Sequence, residues 1–244
     1  MNYLKIEDFD LLLFDLDDTL FDHSKAVEKG VKDTLQQFSI LQKVNPDDFH
    51  KTFIKHNHKL WGRFSSKDLN FHEFSLRRLE DTLKEFNIFI DEEESLAFVK
   101  EFQSSYLNRI RPIQELNDLL FELGKIVNMG IVTNGTAFNA YEKVHRLGLT
   151  SIFPESSVII SENVGYTKPD EEIFQHTLNV FEACAERTLF IGDNYYTDIN
   201  GGKTLGLTTI WINKMGYECP EERPDFMVKS VLEFKDLLTK EGER

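Results

Sequence analysis

The run Leu11-Leu12-Leu13-Phe14-Asp15-Leu16-Asp17-Asp18-Thr19-Leu20 decides the fold. Four consecutive apolar residues suit a strand buried on both faces, as in a parallel sheet covered by helices. The acidic residues after it mark the strand's carboxyl end. In extended backbone, residues two apart share a face, so Asp15 and Asp17 point the same way. Two carboxylates delivered by an apolar strand repel each other strongly unless a cation lies beside them. The competing reading is a solvated acidic turn, with Asp18 or Thr19 capping a helix. An EF-hand calcium loop is excluded. Counted from Asp15, the sixth residue is Leu20 where Gly is needed, and the twelfth is Ala26 where Glu is needed.

Short apolar runs bounded by Gly, Asn or Asp recur at 130–132, 158–160, 189–191 and 209–212. Helical patterns lie between them at 136–147, 170–181 and 198–205. Strand and helix in alternation imply an α/β fold, a doubly wound parallel sheet. The stretch 24–109 breaks this rhythm, with apolar residues at helical spacing (Phe71, Phe74, Leu76, Leu79, Leu83, Phe86) and no strand signal. A parallel crossover needs only a dozen or so residues, so this stretch must form something of its own. Residues 1–22 and 110–244 are expected to form the Rossmann-like core, and 23–109 an inserted all-helical cap of four or five helices. Pro112 marks the return to the core. Ligands of open α/β sheets bind beyond the carboxyl ends of the strands, and an insertion leaving the first strand is placed to hang over that crevice.

The other strand ends carry polar groups too. The second gives Thr133-Asn134-Gly135, whose hydroxyl and backbone N–H groups suit a phosphoryl oxygen. After the third comes Lys168-Pro169, with Pro169 expected to open a helix at its first position. The fourth gives Gly192-Asp193 and, five residues after Asp193, Asp198. Chance capping explains any one of these, but hardly all four in order.

The bulk numbers set limits. The chain has 244 residues, 41% hydrophobic and 29% charged, which suits a folded globular protein. The net charge of −14 repels nucleic-acid backbones and anionic membranes, so neither is an expected partner. No obligate protein partner is evident. A small anionic substrate stays possible, because a metal ion reverses the local field. Met-Asn-Tyr-Leu-Lys does not read as a signal peptide, and no apolar stretch approaches the roughly 18 residues of a membrane span. Cys184 and Cys219 form no CxxC or zinc-like spacing. Two buried or idle thiols fit a reducing cytoplasm.

With these motifs in order, Asp15-x-Asp17-x-Thr19, Thr133, Lys168-Pro169 and Gly192-Asp193 through Asp198, the sequence resembles the haloacid dehalogenase-like (HAD) hydrolase superfamily. The helical insertion resembles its C1 caps. The resemblance implies that Asp15 attacks phosphorus and forms an aspartyl-phosphate. Asp17 then acts as general acid and later as general base. It implies Mg²⁺ held by Asp15, the backbone carbonyl of Asp17 and Asp193, with Asp198 adjusting that shell. Thr133, Asn134 and Lys168 form the phosphate site. Superfamily members that cleave carbon–halogen bonds lack an aspartate at the position of Asp17, since halide leaves without a proton; its presence points to phosphoryl chemistry. The opening 15–22, the run Asn57-His58-Lys59-Leu60-Trp61 and Arg77-Arg78 resemble the YjjG-type bacterial nucleotidases. These dephosphorylate nucleoside 5'-monophosphates, which implies a nucleotide substrate. Alternatives are another small-metabolite phosphatase, acting on phosphoglycolate or a sugar phosphate, or a phosphomutase of the β-phosphoglucomutase kind.

Other signals weigh less. Gly202-Lys203-Thr204 imitates the end of a Walker A loop, but Thr197 stands where its first glycine belongs. His56 and His58, two apart in a helix, cannot share a metal and read as solvated surface. Asp18 is expected to face away from Asp15. His23, Trp61 and Arg63 are substrate-contact candidates, set against ordinary amphipathic packing.

Overall fold

Leu11, Leu12, Leu13 and Phe14 have no solvent exposure, and they form the inner strand β1 (Leu11–Phe14). The structure, a computed structural model, describes residues 4–220 and 223–238, so residues 1–3 of the N-terminal segment lie outside the described residues. The chain divides into two compact units, one of residues 1–22 and 112–244, the other of 23–111. The second unit holds α1 (His23–Gln37), α2 (Pro46–Ser65), α3 (Phe71–Glu85) and α4 (Glu92–Leu107). The first continues with α5 (Gln114–Leu123), β2 (Asn128–Thr133), α6 (Ala137–Arg146), β3 (Val158–Ile160), α7 (Ser161–Val164) and α8 (Glu171–Val180). It ends with β4 (Thr188–Gly192), a π-helical turn (Tyr195–Asn200), α9 (Gly201–Thr204), β5 (Thr208–Ile212), β6 (Phe226–Val228) and α10 (Phe234–Leu237).

The sheet order is β3-β2-β1-β4-β5-β6, and all its pairings are parallel. From β1 the chain builds outward to β3, then returns to lay β4 on β1's other side. The carboxyl end of β1 is therefore the switch point where the crevice of a doubly wound sheet opens. Register brings the strand ends level: Phe14 pairs with Ile131 on one side and Ile191 on the other. Leu11 and Leu13 pack into a cluster with Phe174, Leu178 and Phe190, while Phe14 meets Phe153 edge-on with ring centroids 6.0 Å apart. Alternate residues of β1 thus serve two apolar clusters, which explains a run with no polar position.

Two differences from the sequence reading have physical causes. The edge strand β6, Phe226-Met227-Val228, is not among the strands expected from the sequence; only Val228 of its three apolar residues is buried, because the strand lies at the sheet edge. Pro169 does not open α8. Asp170 N donates to Thr167 O (2.7 Å), closing a turn first, and the helix starts at Glu171.

The helical unit is capped and packed by its own sequence. Asn45 accepts from Asp47 N and Asp48 N ahead of α2, Asn70 forms a capping box with Glu73, and Asp91 accepts from Glu94 N. Phe49, Phe53, Phe98 and Phe102 are buried between the helices, with the Phe53 and Phe102 rings 5.1 Å apart. Arg78 is buried among Phe53, Phe74 and Phe102 and donates to Asn57 Oδ1 (2.7 Å); burial lowers its pKa to about 9. His56 corrects the sequence reading. It is buried, with Nε2 2.7 Å from Glu85 Oε1, because α2 and α3 close over it. His58 is exposed.

Gly30 lets α1 approach α4: a Cβ there would lie 2.8 Å from Tyr106 Cα and 2.9 Å from Tyr106 N. Gly30→Ala gains helix propensity of about 1 kcal/mol but forces two backbones apart at about 1–3 kcal/mol. The expected net result is a lower urea midpoint for the helical unit, followed by Trp61 fluorescence. An unchanged or higher midpoint would contradict this packing.

Candidate active site

At the end of β1, Asp15 N donates to Ile191 O (2.9 Å), so the β1–β4 ladder fixes the residue before its side chain is considered. Its Oδ1 meets Lys168 Nζ at 2.6 Å, and the same ammonium lies 2.7 Å from Asp198 Oδ1. Lys168 is 3% exposed and Asp198 1%. The lysine's backbone is clamped: Asn134 Nδ2 donates to Lys168 O and Lys168 N donates to Asn134 Oδ1, both at 2.8 Å. Both polar atoms of the Asn134 side chain are thus used. The side chain thereby braces the loops after β2 and β3 against each other. Thr133 closes β2 and is buried.

Asp198 is delivered by the π-helical turn, a geometry frequent at functional sites. Asn194 Oδ1 caps the turn by accepting from Tyr196 N and Thr197 N. Asn194 N and Thr197 Oγ1 donate to the two oxygens of Asp198 (3.0 and 3.2 Å). Gly192 makes room: a Cβ there would lie 2.6 Å from Cβ and Cγ of Asp198. The carbonyl of Asp193 accepts from Trp211 Nε1 (2.8 Å), tying this loop to β5.

One ligand oxygen from each of Asp15, Asp193 and Asp198 lies within 4.8 Å of the others. Burial, then the charges of Asp198 and Asp17, push Asp15 up to about 7 against the pull of Lys168. Burial, then Asp15, Asp198 and Asp18, push Asp193 up to about 8. Burial works against the charge on Lys168, but Asp15 and Asp198 outweigh it and hold the ammonium above the ordinary lysine value. Three carboxylates and one ammonium leave two negative charges among hard oxygen donors. A small divalent cation fits that set.

Asp17 lies two residues beyond Asp15 and makes a different pair. Lys143 Nζ, from α6, meets its two carboxylate oxygens at 2.8 and 2.7 Å. Asp18 adopts a left-handed backbone (φ 59°), which turns the chain sharply after the strand. Its charge contributes to the raised pKa of Asp193. Nothing in the local sequence marks Lys143, which resembles any lysine of an amphipathic helix.

Of the three candidates in the helical unit, His23 opens α1, and Trp61 and Arg63 lie two residues apart near the end of α2. His23 Nδ1 is 2.9 Å from Tyr106 Oη within that unit. Trp61 is exposed along one face and packs on Phe64 and Phe74, and Arg63 is exposed. Lys203 of the Walker-like segment lies in α9, 3.4 Å from Asp225 Oδ1. Cys184 is exposed and both cysteines are free. Among the described residues, no helix is long and apolar enough to cross a membrane.

A parallel sheet with this acid cluster at its switch point, and a helical insertion after its first strand, is a doubly wound α/β architecture with a carboxylate-centred site. The model of the haloacid dehalogenase-like hydrolases matches residues 12–212, and the chain belongs to that family. The HAD-hydrolase YfnB of Bacillus subtilis is 29% identical over 233 residues, covering 95% of this chain and 96% of YfnB. A crystal structure of YfnB bound to magnesium matches with a TM-score of 0.78 at 25% identity, covering 98% and 99% of the two chains. The glyceraldehyde 3-phosphate phosphatase of Pyrococcus furiosus is 28% identical over 237 residues (95% and 94% covered). The pyrimidine 5'-nucleotidase YjjG of Escherichia coli is 27% identical over 234 residues (95% and 99% covered).

The raised carboxyls give a pH prediction for the cation-free protein. Asp15 and Asp193 keep protons in the folded state up to about 7 and about 8, against about 4 for an ordinary aspartate. Between those limits the folded state binds more protons than the unfolded one, so stability falls as pH rises. A bound divalent cation removes that repulsion. The gain in melting temperature on replacing EDTA with Mg²⁺ is expected to be larger at about pH 8.5 than at about pH 5. Equal gains at both would contradict the cluster's assignment.

Proposed function

We propose that this chain is a Mg²⁺-dependent phosphomonoesterase that works through an aspartyl-phosphate on Asp15. The observation that carries the reading is the cluster of buried Asp15, Lys168 and Asp198 with half-buried Asp193 at the switch point, and Asp17 two residues beyond the nucleophile. A carboxylate oxygen of Asp15 attacks phosphorus in line; the P–O bond to the leaving group breaks, and its electron pair stays on the leaving oxygen, which takes a proton from Asp17. In the second half, Asp17 removes a proton from water as the water oxygen attacks phosphorus. The P–O bond to Asp15 then breaks, returning its carboxylate. Thr133 and Lys168 stabilise the transferring oxygens, and Asn134 holds the Lys168 backbone. Mg²⁺, held by Asp15, Asp193 and the Asp17 carbonyl with Asp198 supporting, would keep Asp15 ionised and neutralise the phosphoryl charge.

The substrate assigned is a nucleoside 5'-monophosphate. Similarity to the pyrimidine 5'-nucleotidases of Escherichia coli and Streptococcus pneumoniae supports it, each at 27% identity over 95% of this chain. Selection among leaving groups is assigned to the helical unit, where Trp61 and Arg63 offer an aromatic face and a guanidinium, with His23 at its first helix. A triose phosphate is the second reading, favoured by similarity to the archaeal glyceraldehyde 3-phosphate phosphatases.

Phosphate release is the test. Asp15→Asn is expected to lose on the order of 10⁴-fold or more in kcat. Across nucleotides, glyceraldehyde 3-phosphate, sugar phosphates and phosphoglycolate, kcat/KM should be highest for pyrimidine nucleoside monophosphates, without any bisphosphate activator. A glyceraldehyde 3-phosphate optimum would transfer the assignment to the triose. Unchanged release by Asp15→Asn would remove the mechanism.

A further inference from the structure

The helix α6 turns Ala140, Lys143 and Val144 inward. Lys143 is 7% exposed, yet its ammonium reaches both oxygens of Asp17, 126 residues away in sequence. The side chain of Asp17 is itself 29% exposed. Asp17 stands next to Asp18 and two residues from Asp15, and its charge adds to the repulsion on Asp15. Left alone, an aspartate in that position turns its carboxylate outward to water, away from like charges. Two short charge-assisted bonds from one ammonium fix the carboxylate in place. The root of that ammonium is set by α6, which follows the short loop that leaves β2 after Thr133.

We propose that Lys143 is a positioning residue: it holds the Asp17 carboxylate in the orientation from which a proton passes to the leaving oxygen. This rests on the reading of Asp17 as the general acid. The same helix therefore couples the acid to the phosphate-binding end of β2, so that proton donor and phosphoryl oxygens keep a fixed spacing. A wholly structural ion pair would stabilise the fold without affecting which leaving groups depart.

The test compares two phosphomonoesters that differ in their need for a proton. p-Nitrophenolate leaves without one, whereas the alkoxide of a nucleoside 5'-monophosphate or of glycerol phosphate does not. kcat/KM reports steps only through departure of the leaving group, so the later role of Asp17 as base does not enter it. For Lys143→Met, kcat/KM on the alkyl ester is expected to fall on the order of 10- to 100-fold relative to p-nitrophenyl phosphate. Lys143→Arg, which keeps a cationic donor, should recover most of the ratio. Lys143→Gln, which keeps a neutral donor of similar length, serves where the Met variant melts too low to assay, and the same selective loss is expected. Asp17→Asn is the control and should show the same selectivity more strongly. If Lys143→Met and Lys143→Gln lower both esters alike while Asp17→Asn stays selective, the positioning role is overturned and the phosphatase reading stands. If Asp17→Asn also lowers both alike, the acid assignment falls and the proposal falls with it.

Discussion

The ammonium of Lys168 lies between two buried carboxylates, 2.6 Å from Asp15 and 2.7 Å from Asp198. Removing it would leave Asp15, Asp193 and Asp198 facing one another in a region with little water, and an uncompensated buried charge costs about 3–5 kcal/mol. The rest of the core is arranged to keep that ammonium where it is. Asn134 clamps its backbone from the loop after β2, the β1–β4 ladder fixes Asp15, and a π-helical turn aims Asp198. Each strand end by itself is unremarkable; the parallel register, which sets Phe14 level with Ile131 and Ile191, brings them to one point.

A cluster with surplus negative charge is poorly stabilised without a cation, and the proposed chemistry builds on that. Carboxyls pushed up to about 7 and about 8 are partly protonated at neutral pH, and a protonated aspartate is no nucleophile. The same burial that raises them excludes the water that would weaken their action on a phosphoryl group. Asp17, with its own lysine and greater exposure, stands in a different environment from Asp15. Two aspartates two residues apart can then hold separate roles, as acid–base pairs require.

Much of this was legible in sequence, because buried parallel strands leave continuous apolar runs and the polar strand ends fall in a fixed order. Runs such as 11–14 and 158–160 matched strands residue for residue. What escaped were features without local signature. β6 is an edge strand with one buried side chain, and it lies beyond the helix-and-strand alternation that marks the inner strands. His56 looks like a surface histidine until Glu85, 29 residues on, closes over it. Lys143 is ordinary in its helix and becomes distinctive only across 126 residues, through Asp17. The pairing of the Asn134 amide with the donor and acceptor of the Lys168 backbone, 34 residues on, has no local signature either. Pairings between distant segments carry no periodicity, and chemical type alone does not reveal them.

The central claim is that Asp15 becomes phosphorylated and that this intermediate is then hydrolysed. Acid quenching during steady-state turnover of a nucleoside monophosphate, followed by borohydride reduction and peptide mass spectrometry, tests it directly, since an acyl phosphate is reduced to an alcohol. The account predicts homoserine at position 15 in wild-type protein quenched with substrate and none without it. Unmodified Asp15 under quench conditions that capture the enzyme in turnover, or homoserine at another aspartate, would contradict it.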